Sequence, residues 1–174
     1  MRKVIYGGAC SLDGFLTARD GAMDWLHFSK DVQQIMARQW TTVDTILFGR
    51  KTFEFAAKQG GGGTGMGGIK SYVMSRTLGK SPAKDVELVS SDAGEFVRQL
   101  KKQPGKDMIV MSGGNLATSL LRAGVIDEVG FNIHPVLLGA GAPAFLDAGD
   151  RIKLELSECR PLDGGCVLVT YRVK

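Results

Sequence analysis

The stretch Asp107-Met108-Ile109-Val110-Met111-Ser112-Gly113-Gly114-Asn115-Leu116 decides the fold of this chain. Its apolar run predicts a short buried strand, and Leu116, Leu120 and Leu121 then share one face at helical spacing. A strand that ends at two glycines before a helix leaves free backbone N–H groups at the positive end of the helix dipole. This arrangement favours an anion, most often a phosphate, although the same glycines are also typical of a simple tight turn.

Length and composition predict one globular domain that covers residues 1–174. The chain has 174 residues, of which 44% are hydrophobic and 23% charged, so it can bury a core. No apolar run approaches the roughly 20 residues of a membrane span, and the first residues lack the layout of a signal peptide. We therefore expect a cytoplasmic protein without a membrane partner.

Charged residues and cysteines exclude several classes of function. The net charge of +4 suits an anionic small ligand, but the cations alternate with acids along the chain, which does not indicate a nucleic-acid surface. Three scattered cysteines without a Cys-x-x-Cys pair predict reduced thiols. With only two histidines in addition, we expect no metal site.

The hydrophobic pattern alternates between strand and helix, which predicts an α/β fold with a mixed sheet. A first strand is expected to open at residues 4–6 and to be broken by Ser11-Leu12-Asp13-Gly14. Further strands are expected at residues 45–48, 72–74, 86–89, 108–111 and 129–136, and helices at 29–40, 51–58, 92–100 and after Gly114. Two alternating segments, 152–156 and 167–173, flank the turn Asp163-Gly164-Gly165. They predict an antiparallel hairpin with one face either wet or covered by a partner.

Several polar or glycine-rich segments directly follow predicted strands. They are Gly14, Gly49-Arg50-Lys51-Thr52, Ser75-Arg76-Thr77 and Gly113-Gly114. Ligands of α/β sheets gather at the carboxyl ends of the strands, so we expect these segments to converge on one edge. The two basic segments suit phosphates, with a solvated basic helix start as the alternative. Together with the double glycine, the two basic segments suit the several phosphates of a nicotinamide cofactor. An acid at the strand end usually binds the free ribose of NADH, whereas Arg and Ser suit the 2′-phosphate of NADPH. No acid ends the strand before Ser75, which favours NADPH over NADH.

The patterns of three common nucleotide or hydrolase sites are missing from the chain. A Gly-x-Gly-x-x-Gly does not follow the first strand, Gly79-Lys80-Ser81 lacks the upstream glycine of a P-loop, and Ser112-Gly113-Gly114 lacks the spacing of a nucleophile elbow.

An ordered set of motifs nevertheless resembles a known family. The motifs are Ser11-Leu12-Asp13-Gly14 with Trp25 downstream, 46–52, Met74-Ser75-Arg76-Thr77, Gly113-Gly114 and 135–141. The set resembles the dihydrofolate reductase-like superfamily and, more closely, the C-terminal reductase domain of the bifunctional riboflavin-pathway deaminase-reductase and its stand-alone relatives. The resemblance implies a three-layer α/β/α fold with a mixed, mostly parallel sheet and an antiparallel C-terminal hairpin.

The same resemblance implies NADPH as the cofactor and assigns its contacts. Gly49, Arg50, Lys51 and Thr52 are expected at the cofactor phosphates, and Ser75 and Arg76 at the adenosine end. Gly113, Gly114, Asn115 and Leu116 are expected beside the pyrophosphate and the nicotinamide. Some of these relatives are homodimers that pair through C-terminal strands, so we also expect a homodimer.

The proton donor and the substrate wall are less defined. Asp13 and Asp31 are the candidate catalytic acids, with a turn-capping role as the alternative for Asp13. The spacing from Trp25 to Asp31 is one residue longer than the spacing from the loop tryptophan to the acid in dihydrofolate reductases. The candidate substrate-binding residues are Trp25, Phe28, Ser112, His134 and Gly139, with packing roles as alternatives for Trp25, Phe28 and His134. Segment 59–68 contains seven glycines and is a candidate lid.

These observations predict an NADPH-dependent reductase that transfers a hydride to a small pterin-like or ribosylamino-pyrimidine-like substrate. Reduction of 5-amino-6-(5-phosphoribosylamino)uracil in riboflavin biosynthesis is one specific candidate, although Ser112 stands where that reductase usually has a carboxylate. Two alternatives stay open: a non-catalytic NADPH-binding or sensing module, and a dihydrofolate reductase proper.

Overall fold

The computed structural model of the chain describes residues 1–58, 68–81 and 83–174. Its strands are β1 (Val4–Ser11), β2 (Phe15–Ala18), β3 (Val43–Gly49), β4 (Lys70–Met74), β5 (Val86–Val89), β6 (Asp107–Met111), β7 (Glu128–His134), β8 (Gly141–Pro143), β9 (Leu154–Pro161) and β10 (Val167–Val173). Its helices are α1 (Lys30–Thr42), α2 (Arg50–Lys58), α3 (Ala93–Lys101) and α4 (Gly114–Arg122), with a 3₁₀ turn at Asp163–Gly165.

Eight of these strands form one mixed sheet in the order β5-β4-β3-β6-β1-β7-β10-β9. The strands from β5 to β7 pair in parallel, whereas β10 pairs antiparallel with both β7 and β9. The expected mixed, mostly parallel sheet with an antiparallel C-terminal hairpin is therefore confirmed. β2 and β8 form a separate two-stranded antiparallel ribbon.

Helices cover both faces of the parallel strands, which gives the expected three layers. On one face α3 and α4 contribute Val97, Leu100, Ala117 and Leu120 to the larger core cluster. On the other face Phe53 of α2 packs with Phe48 and Ile46 of β3. A central strand is consequently buried on both sides: Ile46, Leu47 and Phe48 are at most 1% exposed. Burial on both sides is why β3 is a continuous apolar run rather than an alternating one.

Some boundaries differ from the sequence-based expectation. α1 has Ser29 as its N-cap and continues to Thr42, because the hydroxyls of Thr41 and Thr42 donate to helix carbonyls one turn back. By contrast, β1 ends at Ser11, where Ser11-Leu12-Asp13-Gly14 predicted its end, and it passes through Gly7, where a Cβ would lie 1.9 Å from the carbonyl oxygen of Gly130. The glycine there permits close strand approach instead of breaking the strand.

The ribbon of β2 and β8 was not expected from the sequence. Its strands have only four and three residues, and their partners lie far apart in the chain. Short strands whose pairing is entirely non-local leave little periodic signal.

The C-terminal hairpin extends the sheet past β7, with one face against α1, where Val32 packs with Cys166 and Leu168. All of β9 is exposed, including Leu154 and Leu156 at 44% and 55%. Val169 and Tyr171 of β10 pair with Phe131 and Val129 of β7, so the apolar face of β7 continues onto the hairpin. None of the helices in the described ranges is long and apolar enough to cross a membrane.

Candidate active site at the carboxyl edge of the sheet

The segments that follow the parallel strands meet at one edge of the sheet. β4, β3, β6, β1 and β7 are consecutive neighbours and point the same way. Near their carboxyl ends Gly49 is in register with Met74, Phe48 with Met111, and Ser11 with His134. The expected convergence is therefore present, and it places two basic segments beside the start of α4.

Gly113 is the N-cap of α4 and leaves open space beside the helix start. Its backbone is extended, at φ −77° and ψ 178°, and no side chain caps the helix. A Cβ built on Gly113 would meet no atom within 4 Å. The protein's own packing does not demand glycine here, but a phosphate that approached the free N–H groups of the first turn would.

Gly114 has a different reason to be glycine. A Cβ built on it would lie 2.9 Å from the carbonyl oxygen of Pro143 and 3.3 Å from the nitrogen of Leu146. The Leu146 N–H also donates to the hydroxyl of Thr118 on α4, at 3.0 Å. The segment after β8 therefore lies directly on the start of α4 and sets its position.

Aromatic packing holds that segment in place. The Tyr6 hydroxyl donates to the carbonyl of Ala144 at 2.5 Å, and burial raises the pKa of Tyr6 well above its ordinary value. The Phe145 ring meets Tyr6 and Phe131 edge-on, with centroids 5.5 and 5.6 Å apart. Sequence reasoning missed this support, because nothing near Ala144 has a recognisable spacing.

Gly49 and Ser112 bring the ends of β3 and β6 together. A Cβ on Gly49 would lie 3.1 Å from the Cβ of Ser112, so any side chain at position 49 would press against Ser112. Ser112 is buried, and its hydroxyl donates to the carbonyl of Gly113 at 3.1 Å.

The basic residues of the edge are largely available to a ligand. The Arg50 side chain is 41% exposed, and within the described part of the chain its one ion pair is a 3.9 Å contact with Glu54 one turn on. Lys51 and Arg76 are exposed, and Thr52 is half-buried in the first turn of α2. Ser75 shapes the turn before Arg76, because its hydroxyl accepts from the N–H groups of Thr77 and Leu78, at 3.3 and 3.2 Å.

The next two residues of α4 differ in exposure. Asn115 is exposed, whereas Leu116 packs against the larger core cluster. Only the backbone of Leu116 is thus free to face the open space beside Gly113.

Asp13 links the loop after β1 to the loop after β7 by hydrogen bonds. Its carboxylate accepts from the Ser11 hydroxyl at 2.6 Å and from the backbone N–H groups of Leu138 and Gly139, at 3.2 and 2.8 Å. These bonds, the Ser11 hydroxyl first, hold the pKa of Asp13 below its ordinary value. Gly139 is exposed and has a φ of +69°, which favours glycine.

Asp31 joins the start of α1 to the turn between β9 and β10. Its carboxylate accepts from the Ser29 hydroxyl, from Val32 N at 2.8 Å and from Asp163 N at 2.9 Å. The Ser29 hydroxyl is the largest cause of a lowered pKa at Asp31. Both candidate acids are thus ionised acceptors at neutral pH, an arrangement that supports positioning better than proton donation.

His134 is a packed residue, only 2% exposed. Its Nε2 accepts from the His27 N–H at 3.1 Å, and its Nδ1 lies 3.2 Å from the carbonyl oxygen of Asn132, to which it donates. The ring of Trp25 meets His134 edge-on at 5.2 Å. The indole N–H of Trp25 and the amide oxygen of Asn132 are buried, and neither has a hydrogen-bond partner among the described residues. His134 thereby ties the Trp25 loop to the end of β7.

Phe28 does not belong to the core. Its side chain is 57% exposed, so the packing alternative is wrong for this residue. Residues 59–67 of the candidate lid lie outside the described residues, and the lid stays a prediction.

Within the described ranges, no group of three or more His, Cys, Asp or Glu side chains is placed to hold a metal ion. Cys10 and Cys166 are buried free thiols, and Cys159 is exposed. Burial raises the pKa of Cys10 to about 11.

Comparison with known proteins shows the family and the fold. Residues 2–168 match the family model of the RibD C-terminal domain. The uncharacterised Bacillus subtilis (strain 168) protein YyaP is 33% identical over 98% of this chain and 94% of its own length. Among solved structures, a putative riboflavin biosynthesis protein from Shewanella sp. PV-4 has a TM-score of 0.86 at 22% identity, covering 100% of this chain and 99% of its own.

A dihydrofolate reductase has the same fold. The Enterococcus faecalis enzyme, solved in complex with NADP(H), has a TM-score of 0.69 at 16% identity and covers 99% of this chain and 96% of its own. At such identities the two solved structures show the fold alone, whereas the family model covers nearly the whole sequence. This chain belongs to the RibD C-terminal domain family.

Proposed function

We propose that this protein is an NADPH-dependent reductase that transfers a hydride to a small heterocyclic substrate, either pterin-like or ribosylamino-pyrimidine-like. The observation that carries the proposal is the open space at Gly113, at the start of α4, with the basic segments that follow the neighbouring strand β3 and the next strand β4 at the same edge of the sheet. Family membership supports the same class of reaction, with 5-amino-6-(5-phosphoribosylamino)uracil as one candidate substrate.

The residues present fit a dinucleotide with several phosphates. The α4 start would hold the pyrophosphate, since its first N–H groups have no partner within the helix. Arg50, Lys51 and Thr52 would hold further phosphate oxygens from the start of α2, and Ser75 and Arg76 the adenosine end. The cofactor would supply the hydride, while the chain binds and orients both reactants.

The preference for NADPH rests on the charge beside β4. Ser75 and exposed Arg76 follow Met74, and the turn 75–77 contains no carboxylate that would repel a 2′-phosphate or bind a free ribose hydroxyl. We therefore assign this turn to the 2′-phosphate.

The proton that completes the reduction needs another source than the two candidate acids. Asp13 and Asp31 have lowered pKa values, and their oxygens already accept backbone N–H groups. We assign the proton to an ordered water rather than to either carboxylate.

The same observation favours one alternative, a module that binds NADPH without turnover. The two functions differ in a direct experiment. Calorimetry with NADPH and NADH tests binding, and loss of the reduced-nicotinamide absorbance with dihydrofolate and with the ribosylamino-pyrimidine tests turnover. Tight NADPH binding with oxidation by either compound supports the reductase. Binding without oxidation by any heterocycle supports the module, and absence of NADPH binding contradicts both.

We also propose that the protein acts in the cytoplasm as a homodimer that pairs through β9 and β10. The support is the uncovered apolar face of this hairpin, where Leu154 and Leu156 are exposed. Monomeric proteins rarely leave such a continuous apolar surface open to water.

A further inference from the structure

We infer that the substrate half of the cleft selects an uncharged, flat ring that carries no phosphate or carboxylate tail. The inference rests on the proposed function, because it concerns the site beside the cofactor, and it narrows the substrate class. It follows from the exposed side chains, the charges and the engaged backbone N–H groups around the ends of β1 and β7.

Three exposed side chains near these strand ends, beside the exposed Asp13, are apolar. Leu12 follows β1 and is 66% exposed, and Leu137 follows β7 and is 70% exposed. The Leu12 N–H donates to the carbonyl of Val136 at 2.9 Å, so the two leucines are close neighbours. Phe28 is 57% exposed. It follows His27, whose backbone N–H donates to His134 at the end of β7. Together these side chains offer a flat ring an apolar wall.

The charge of this half is negative. Segments 11–31 and 135–141 contain four aspartates against Arg19 and Lys30, a net charge of −2, and all of these residues are described. Asp163 adds another carboxylate next to Asp31. By contrast, segments 49–52 and 75–77 of the cofactor half carry Arg50, Lys51 and Arg76 and no acid, a net charge of +3. An anionic tail is therefore attracted to the cofactor half and repelled by the substrate half.

Two backbone donors that could replace a cation are already engaged. The N–H groups of Leu138 and Gly139, in the loop after β7, both donate to the Asp13 carboxylate. Because the pKa of Asp13 is lowered, the carboxylate keeps these donors at neutral pH. A phosphate would have to displace an ion of its own sign.

These properties disfavour two otherwise reasonable substrates. The phosphoribosylamino-uracil carries a phosphate, and dihydrofolate carries the carboxylates of its glutamate. The ring systems of both suit the apolar wall, whereas their tails do not. The preferred substrate is the ring with a short neutral substituent.

Two matched pairs of compounds test the inference. The first pair is the ribosylamino-pyrimidine with and without its phosphate, and the second is dihydrofolate and a dihydropterin that lacks the glutamate. The NADPH-loaded protein is assayed for turnover, and the NADP⁺-loaded protein is titrated with each compound by calorimetry, which also works if turnover is absent. We expect the tail-free member of at least one pair to be favoured by about tenfold or more at low salt. Added salt should narrow the difference.

Variants that add or remove a charge test whether the apolar wall causes the preference. Leu137→Lys should improve the affinity for the phosphorylated compound, whereas Met36→Lys, exposed on α1 outside the wall, should not. Lys30→Ala removes one of the two cations of segment 11–31 and should keep or increase the preference for the tail-free compound. Leu137→Ser should leave the sedimentation coefficient unchanged, since a shift would mean that a second copy covers this wall.

Several outcomes overturn the inference. They are preference for the phosphorylated or glutamylated compound, equal affinity within both pairs, or a phosphate preference that disappears in Lys30→Ala. If NADPH binds but none of the four compounds does, the substrate inference fails and the cofactor assignment stands. If NADPH does not bind, the proposed function fails, and calorimetry on the cofactor-free protein still decides between the members of each pair.

Discussion

Gly114 lies against the backbone of Pro143, so that a Cβ on the glycine would be 2.9 Å from the proline carbonyl oxygen. Gly113, one residue earlier, has no neighbour within 4 Å of the same position. The two glycines therefore have separate tasks. Gly114 lets the segment after β8 pack on α4, and Gly113 leaves the helix start open to a ligand.

Alanine at each glycine should separate these tasks. Gly114→Ala should lower the free energy of unfolding by about 1–3 kcal/mol through overpacking, less what alanine regains in helix propensity. Gly113→Ala should change the free energy of unfolding by less than about 1 kcal/mol, because the backbone conformation is one that alanine also adopts and the space is open. The same substitution should lower the affinity for NADPH. Thermal unfolding and calorimetry measure both. Unchanged NADPH affinity in Gly113→Ala would contradict the placement of a phosphate there.

Arginine variants test the choice of cofactor. Arg50→Ala or Arg76→Ala should weaken the binding of NADPH more than the binding of NADH, by about 1–3 kcal/mol for one lost charge-assisted hydrogen bond. Competition titrations with both cofactors give the difference. Arg38→Ala, on the exposed surface of α1, is the matched control and should affect neither. Equal losses for NADPH and NADH would refute the 2′-phosphate assignment.

Asp13→Asn separates a positioning role from a catalytic acid. The amide should hold Leu138 and Gly139 less firmly, so we expect lower kcat/KM and faster amide exchange at these two residues. The shape of the pH–rate profile should stay the same. Loss of one limb of that profile would instead identify Asp13 as the proton donor. Asp20→Asn, in the exposed turn after β2, is the control.

Asp31 should contribute a pH-dependent part of the stability. Its folded-state pKa is lowered, so its contribution is present above the ordinary carboxylate pKa of about 4 and is lost as the pH falls through the folded value. Asp31→Asn should therefore lower Tm at neutral pH, and the difference from the native chain should shrink below about pH 4. Exposed Asp24 supplies the control variant Asp24→Asn. A Tm difference that persists unchanged into strong acid would rule out this account.

Leu156→Lys tests the proposed dimer. A lysine on the apolar face of β9 should shift the protein from dimer to monomer in sedimentation equilibrium, because the charge would be buried at the interface. Met36→Lys adds the same charge on α1 and should leave the assembly intact. A native chain that is monomeric at all concentrations would exclude the proposal.

The local sequence was sufficient for much of the fold. The apolar runs of β3 and β6 predicted buried strands, and the alternation in β10 predicted a half-covered one. These elements follow from side-chain period and burial, which are properties of neighbouring residues. The order of strands and helices also predicted that the basic segments after β3 and β4 lie beside the start of α4, since parallel strands bring their carboxyl ends together.

Contacts between residues distant in the chain required the tertiary structure. Sequence could not tell that Asp13 holds Gly139, that Asp31 holds Asp163, or that Phe28 stays exposed. It also treated Gly113 and Gly114 as one motif. What a side chain or a missing side chain does depends on which backbone lies beside it, and non-local packing decides that. The sequence alone predicted a phosphate site at the double glycine, and the structure shows that Gly113, not Gly114, leaves the start of α4 open.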